Sequence, residues 1–194
     1  MAREGGITTV LLVLAVAACV LVPFAWERDL FDLDEGRYAA VALDMVRSGD
    51  WVTPRLNDMP FLDKPPLVYW IQAAATTAFG SSELVARLPT LLGGSFWVLF
   101  VFLFARRWTG SERTAWWAAL LAATSAAGFA GSRIGPQMDM PLAACVAGAL
   151  WAAWRSLERP TRTASLGLGL AIGLGLLTKG PLVVAVPFVV AVAW

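Results

Sequence analysis

The chain has 194 residues, of which 58% are hydrophobic and only 15% are charged, whereas about a quarter of the residues in a soluble domain are charged. This balance predicts an all-α polytopic membrane protein. The net charge of +1 supplies no basic surface for a nucleic acid. The chain also has no His, the most common acid–base and metal-binding side chain, so any chemistry falls to Asp, Glu, Lys, Arg or Tyr.

Six apolar segments are predicted to span or enter the membrane, since a span needs about 20 apolar residues or slightly fewer. They cover about 7–26, 88–105, 114–132, 140–155, 164–178 and 181–194. The last segment stays apolar up to its final residue and has no polar cap. We therefore expect the chain to be the N-terminal part of a longer protein.

The segment 66–80 is also apolar, and the distribution of arginines decides how it is placed. If it does not span, the N-terminus and both arginine clusters lie on one side, which the positive-inside rule makes the cytoplasm. The clusters are Arg106, Arg107 and Arg113, and Arg155, Arg159 and Arg162. We therefore predict that 66–80 does not span the membrane. Residues 27–87 then form one outer loop, with interfacial helices at 34–47 and 66–80.

The first of these helices is predicted from its apolar periodicity and its end signals. Asp34 is the expected N-cap, and Gly49 is the expected stop signal. The apolar residues follow helical spacing. They are Tyr38, Val41, Ala42, Met45 and Val46. Residues 51–66, which contain several prolines, are expected to be extended or turned.

The start of this helix is the first candidate for chemistry. Asp34 and Glu35 are adjacent carboxylates, and Arg37 lies one turn from Asp34. A carboxylate beside an arginine stays ionised and can act as a base or bind a cation. On physical grounds alone, an ordinary capped and solvated helix start is the favoured alternative, because acidic residues commonly open helices.

Three more candidate positions lie in the predicted outer loops. Lys64 follows Asp63 and precedes two prolines, which suits a phosphate contact, although an exposed ion pair in a turn explains it equally well. Arg133 and Asp139 flank a short loop, and an acid so close to hydrocarbon is costly unless it is paired or functional; the alternative is a helix cap. Lys179, beside Gly and Pro, is as readily explained by a turn. All these charges are predicted to lie on the outer side, where they fit a lipid-borne substrate with a phosphate leaving group.

Several motifs in order resemble a family of membrane glycosyltransferases. They are Asp-Glu-x-Arg-Tyr-Ala (34–39), Ser-Gly-Asp-Trp (48–51), Lys-Pro-Pro-Leu-x-Tyr-Trp (64–70), Ala-Arg-Leu-Pro (86–89), Asp-x-Pro-Leu (139–142) and Thr-Lys-Gly (178–180). Together they resemble the N-terminal half of the family that includes bacterial aminoarabinose lipid A transferases. They are similar, more distantly, to protein mannosyltransferases that use dolichyl-phosphate-mannose. The resemblance covers the chain from about residue 26 onward.

This resemblance implies a GT-C-type transmembrane bundle in the bacterial inner membrane, with an active site facing the periplasm. It implies a polyprenyl-phosphate-linked sugar donor and a lipid A, glycolipid or protein acceptor. Asp34 and Asp139 match the catalytic acids, and Lys64 matches the donor site. One departure is Asp63, which stands where the lipid A enzymes usually have Glu.

The remaining substrate-binding residues come from the resemblance and from charge. Arg37, Tyr38 and Lys179 match positions near the family's substrate cavity, whereas Glu35 and Arg133 are included for their charge and position. A divalent cation is compatible with these acids, but no set of metal ligands at a recognised spacing is present. Two alternatives stay open, a transporter or channel fragment and a non-catalytic lipid-binding scaffold.

Overall fold

The structure of the protein is a computed structural model and describes residues 6–23, 25, 29–30, 32–131 and 138–193. Within these ranges the chain forms eight α-helices, one short π-helix and a two-stranded antiparallel sheet. The α-helices are α1 (Ile7–Leu21), α2 (Asp32–Ser48), α3 (Leu67–Phe79), α4 (Glu83–Thr109), α5 (Glu112–Thr124), α6 (Asp139–Glu158), α7 (Arg162–Lys179) and α8 (Leu182–Ala193). The π-helix is Ala126–Ala130, and strands β1 (Arg55–Leu56) and β2 (Met59–Pro60) form a hairpin.

Helix α4 lies at the centre of the bundle and packs against α1, α3, α5 and α6. Its core with α1 and α5 is built mainly from small and branched residues, which allow close approach of the helix backbones. These buried residues are Val13, Ala17, Val98, Leu99, Phe102, Ala115, Ala119 and Ala123. Helices α6 and α7 form a hairpin beside it, and α8 contacts both.

Among the described residues, α4 and α6 are long and apolar enough to cross a membrane by length and composition. Their mean hydropathies are 2.0 and 1.2 over the best 18 residues. The other four predicted spans coincide with shorter helices, α1, α5, α7 and α8. Helix α3 has 13 residues and extends about 20 Å, which is less than the roughly 30 Å of the hydrocarbon layer.

The predicted apolar face of α2 is confirmed. Tyr38, Val41, Ala42 and Met45 are each at most 3% exposed and pack on α3. The stop at Gly49 is also confirmed, since this residue follows the helix with a φ of 74°. However, the prediction that Asp34 is the N-cap is wrong. The helix begins at Asp32, so Asp34 lies in the first turn, where a negative charge still interacts favourably with the helix dipole.

The predicted continuous segment 114–132 is interrupted at Ser125. This residue is extended, with φ −64° and ψ 157°, and it separates α5 from the π-helix. Its hydroxyl donates to the carbonyl of Ala122 at 2.7 Å and accepts from the N–H of Gly128 at 3.0 Å. These local bonds replace helical ones, a competition that the apolar composition of the segment does not reveal.

Candidate active site

Three acid–cation pairs, from three separate parts of the chain, lie at one end of the bundle. Asp34 and Arg37 in α2 are 3.6 Å apart. Asp63 and Lys64, just before α3, are 3.0 Å apart. Asp139 and Lys179 form the third pair. We call this end of the molecule the site end. All six side chains are between 30% and 49% exposed, so each can be reached from outside the protein.

The phenol of Tyr38 lies near the carboxylates of all three pairs. Burial raises the pKa of Tyr38 to about 12, helped by the carboxylates of Asp34, Asp63 and Asp139, while Arg37 acts in the opposite direction. Residues from α2, from the loop before α3 and from α6 are therefore all close enough to act on one phenol. Met138 joins them physically, because it is buried in the α2–α3 core and directly precedes Asp139.

An aromatic cluster forms the wall behind this phenol. The ring of Tyr69 meets the ring of Tyr38 edge to face at 5.5 Å, and Phe61 contacts both rings at 6.5 Å. The guanidinium of Arg37 lies 6.0 Å from the centre of the Phe61 ring. Tyr69 is fully buried, and its hydroxyl has no hydrogen-bond partner among the residues that the structure describes. Burial raises the pKa of Tyr69 as well, so both phenols stay neutral.

The loop between α2 and α3, which contains Lys64, is held at its start by hydrogen bonds. Asp50 accepts hydrogen bonds from the N–H groups of Val52 and Thr53, both at 3.0 Å, and these bonds lower the pKa of Asp50. The carbonyl of Trp51 accepts from the Trp70 indole at 2.7 Å. The motif at 48–51 therefore ties the end of α2 to α3. Its contacts are structural.

The position of Glu35 does not fit the substrate-binding role predicted for it. It is 4% exposed, and both of its carboxylate oxygens accept hydrogen bonds from Arg87, at 3.1 and 3.0 Å. A substrate would have to displace a buried guanidinium to reach them. Glu35 faces the protein interior, while Asp34 and Arg37 face the open side of α2.

Arg87 belongs to the Ala-Arg-Leu-Pro motif (86–89), but no role was predicted for it from the sequence. Its position could have indicated one, because an arginine among apolar residues at the start of a span must be paired or functional. Of the other predicted residues, Arg133 lies outside the described part of the chain. Within the described part, no group of three or more His, Cys, Asp or Glu side chains is arranged to hold a metal ion.

A close helix crossing sets the position of Asp139. A Cβ atom at Gly93 in α4 would lie 2.4 Å from the backbone nitrogen of Pro141 and 2.6 Å from the carbonyl carbon of Met140. Glycine thus lets the first turn of α6 rest directly on α4. Asp139, the first residue of α6, is placed by this contact and by Lys179 at the end of α7.

Known proteins are similar to this chain in both sequence and fold. The family model for dolichyl-phosphate-mannose-protein mannosyltransferase matches residues 63–194. An undecaprenyl phosphate-alpha-4-amino-4-deoxy-L-arabinose arabinosyl transferase of Pseudomonas aeruginosa (strain LESB58) is 34% identical over 191 residues, which cover 96% of this chain and 34% of the relative. A second such transferase, from Sodalis glossinidius, is 30% identical over 92% of this chain and 33% of its own length.

Two crystal structures of ArnT from Cupriavidus metallidurans superpose on the chain. The apo structure is 31% identical, with a TM-score of 0.83, over 96% of this chain and 35% of that protein. The structure bound to undecaprenyl phosphate is 30% identical, with a TM-score of 0.84, over 97% and 36%. The chain thus spans about a third of the length of these relatives.

The likeness extends over nearly all of the chain in both sequence and fold, and the family model alone matches more than half of it. The all-α fold predicted from the sequence is confirmed as that of a GT-C membrane glycosyltransferase. The chain belongs to the dolichyl-phosphate-mannose-protein mannosyltransferase family of membrane glycosyltransferases and is similar to its aminoarabinose transferases.

Proposed function

We propose that this chain supplies the acid- and cation-bearing part of an active site that transfers a sugar from a polyprenyl-phosphate carrier to a lipid or protein acceptor. The observation that carries the proposal is that the carboxylates of Asp34, Asp63 and Asp139, each paired with a cation, all act on the phenol of Tyr38 at the site end. The relatives' names point to undecaprenyl phosphate as the carrier and to 4-amino-4-deoxy-L-arabinose as the sugar. Lipid A is the acceptor that we would test first, followed by other glycolipids and proteins.

The proposed reaction is one displacement at the anomeric carbon of the sugar. An acceptor oxygen forms a bond to that carbon on one face while the bond to the phosphate oxygen breaks on the other, so the configuration inverts. The electron pair of the broken bond leaves with the polyprenyl phosphate. Lys64 and Arg37 would stabilise this growing negative charge, which is commonly the largest electrostatic task in such a reaction. Both cations are now held by nearby carboxylates, which orient them before the phosphate arrives.

Asp34 is proposed to act on the acceptor. If the acceptor is a hydroxyl, the Asp34 carboxylate orients it and takes its proton as the new bond forms. If the acceptor is a phosphate, no proton has to be removed, and Asp34 positions the reacting groups. Asp139 and Lys179 would hold the other side of the sugar, with Tyr38 and Tyr69 as the neutral aromatic wall.

The proposed location is the periplasmic face of the bacterial inner membrane. A helix from Asp139 to Glu158 extends about 30 Å, enough to separate a polar layer at the site end from a second one at Arg107 and Glu158. Helices α2 and α3 would lie along the outer surface. Single cysteines at positions 34 and 139 should react with a membrane-impermeant thiol reagent added to intact spheroplasts, while a cysteine at position 107 should not. Reaction of 34 and 139 from opposite sides of the membrane would rule out the site.

A transfer assay tests the activity. The complete encoded protein in membranes should move aminoarabinose from its undecaprenyl-phosphate carrier to lipid A, measured by the mass increase of the product. Asp34→Asn should lower the rate by at least about 100-fold. The matched control is Asp58→Asn, an equally conservative change in the exposed β1–β2 turn of the same segment, which should retain full activity. Equal activity of the Asp34→Asn protein and the wild type would favour a non-catalytic scaffold.

The transporter alternative gains no support from the described residues. Their charged side chains collect at the two ends of the bundle, whereas a transport pathway favours ionisable groups near the membrane centre. Accumulation of labelled sugar in sealed vesicles without formation of a glycosylated product would reverse this conclusion.

A further inference from the structure

A buried ion pair lies directly beneath the proposed catalytic turn. Arg87, in the second turn of α4, is 1% exposed. Its guanidinium donates two hydrogen bonds to the carboxylate of Glu35 in α2. It also donates to the backbone carbonyl of Ala25, at 2.6 Å, and to that of Asp29, at 3.0 Å. We call these four hydrogen bonds the Arg87 clamp.

The clamp joins α4 to three positions of an earlier part of the chain, 52 to 62 residues before Arg87. Ala25 follows α1, Asp29 precedes α2, and Glu35 lies 52 residues before Arg87. A planar guanidinium matches a carboxylate with two parallel hydrogen bonds and leaves other N–H groups for carbonyls. A buried charge is tolerated only with such partners, so the connection between α1 and α2 and the start of α2 must both suit this one side chain.

The position of Glu35 in α2 explains how the Arg87 clamp affects the candidate active site. Glu35, Tyr38, Ala42 and Met45 recur with helical spacing and form the buried face of α2. Asp34 is adjacent to Glu35, and consecutive residues of a helix point about 100° apart. When Glu35 is held inward, Asp34 is turned toward the open side, where it meets Arg37.

The structure assigns to Arg87 and Glu35 the role of positioning residues for Asp34. Their effect on the geometry of α2 is independent of the proposed function, whereas their effect on catalysis rests on it. Neither residue would touch the substrate, since both are buried and occupied by each other. Loss of the clamp would let the first turn of α2 rotate or fray, and Asp34 would then spend less time in the reactive orientation. A small displacement of a reacting group can lower the rate about 100-fold.

The chain offers a matched control. Arg107 and Glu158 form an ion pair of the same chemistry between α4 and α6, with donor–acceptor distances of 2.7 to 3.2 Å. This pair lies at the opposite end of α4 and is partly exposed. Arg107→Lys and Arg87→Lys are therefore the same substitution, one remote from Asp34 and one beneath it.

The first measurement is independent of transfer. A cysteine at position 34 should be modified by a charged thiol reagent at a changed rate, at least about 5-fold different, in the Arg87→Lys background. A cysteine at position 139 should react as before, and Arg107→Lys should change neither rate. If the position-34 rate is unaltered by Arg87→Lys, the positioning role is wrong, whatever the protein catalyses. Should Arg87→Lys fail to accumulate in membranes, Glu35→Gln serves as the second variant, with the same expectations.

The second measurement separates positioning from binding and from stability. Arg87→Lys should lower kcat about 10- to 100-fold while the KM for the donor changes by less than about 3-fold. In the Asp34→Asn background, the same substitution should cost no more than about 2-fold, because the group that it positions is already inactive. A rise in KM with unchanged kcat would assign Arg87 to the donor site and overturn the proposal. Multiplicative losses in the double variant would also overturn it, since they indicate a general structural role.

Discussion

The carboxylate of Asp139 accepts a hydrogen bond from the ammonium of Lys179, so the first residue of α6 is paired with the last residue of α7. At the far end of α6, Glu158 pairs with Arg107. The helix between these pairs has 20 residues and a length of about 30 Å, which matches the hydrocarbon thickness of a bilayer. One helix therefore carries a polar contact at each end and an apolar body between them, as expected of a membrane span.

The Asp139–Lys179 pair should matter more for activity than for stability. Its side chains are 43% and 32% exposed, and exposed ion pairs contribute at most about 1 kcal/mol. Asp139→Asn should therefore leave the thermal unfolding midpoint nearly unchanged while lowering the transfer rate at least about 10-fold. Glu158→Gln at the other end of α6 is the control for both measurements. A large loss of stability with full activity in the surviving protein would make Asp139 a structural residue.

Lys64 should act mainly on the donor phosphate. Lys64→Met removes the charge but costs little stability, because Asp63 is 49% exposed and is readily solvated once it is unpaired. The KM for the polyprenyl-phosphate donor should rise about 10-fold, as expected for loss of a hydrogen bond to a charged group. Lys64→Arg, which keeps the charge, should recover part of the affinity. A donor KM unaffected by Lys64→Met would remove this residue from the donor site.

Gly93 should tolerate no side chain. Its added Cβ would meet backbone atoms of Pro141 and Met140 at 2.4 to 2.7 Å, and backbone cannot rotate away as a flexible side chain can. Gly93→Ala should destabilise the protein by about 1–3 kcal/mol, because the first turn of α6 must move away from α4. The control is Gly173→Ala in α7, where no atom lies within 4 Å of the added Cβ; it should be neutral or slightly stabilising. Thermal unfolding of the two variants in detergent measures the difference.

Tyr38 should make the folded protein sensitive to alkali. Its pKa in the folded state is about 12, against an ordinary value of 10.0, so the unfolded chain releases this proton at lower pH than the folded protein does. The stabilisation is fully present below pH 10 and is lost as the pH rises from 10 toward 12. Tyr38→Phe should unfold with a shallower dependence on pH in this window. Parallel stability curves for the two proteins between pH 10 and 12 would contradict the raised pKa.

Tyr69→Phe tests the unpaired phenol. An unsatisfied hydroxyl in a fully buried site costs about 1–3 kcal/mol, and phenylalanine keeps the ring contacts with Tyr38 and Phe61. The variant should be as stable as the wild type or more so. Tyr38→Phe removes a hydroxyl from the same cluster and serves for comparison at neutral pH. A clear loss of stability in Tyr69→Phe would show that the hydroxyl has a partner, such as a buried water molecule.

The order of the apolar segments, the buried face of α2 and the family could be predicted from the sequence by itself. Long runs of residues without charge are typical of a membrane helix bundle. Apolar residues in an i, i+3, i+7 pattern give a helix one buried side, whatever packs against it. The candidate charges could also be named in advance, because an ionised group near hydrocarbon is rare unless it is paired or functional. Their roles in substrate binding and catalysis stay predictions until the variants are measured.

Only the tertiary structure decided which of these charges share a site and which support it. Asp34 and Glu35 are adjacent carboxylates, and the direction in which α2 turns each of them gives them different surroundings. That direction depends on Arg87, 52 residues away, and on the carbonyls of Ala25 and Asp29. The break at Ser125 likewise depends on a side chain competing with the backbone for hydrogen bonds. Local patterns specify helices and faces, whereas pairings between distant residues are set by packing, because they depend on three-dimensional distances that sequence separation does not encode.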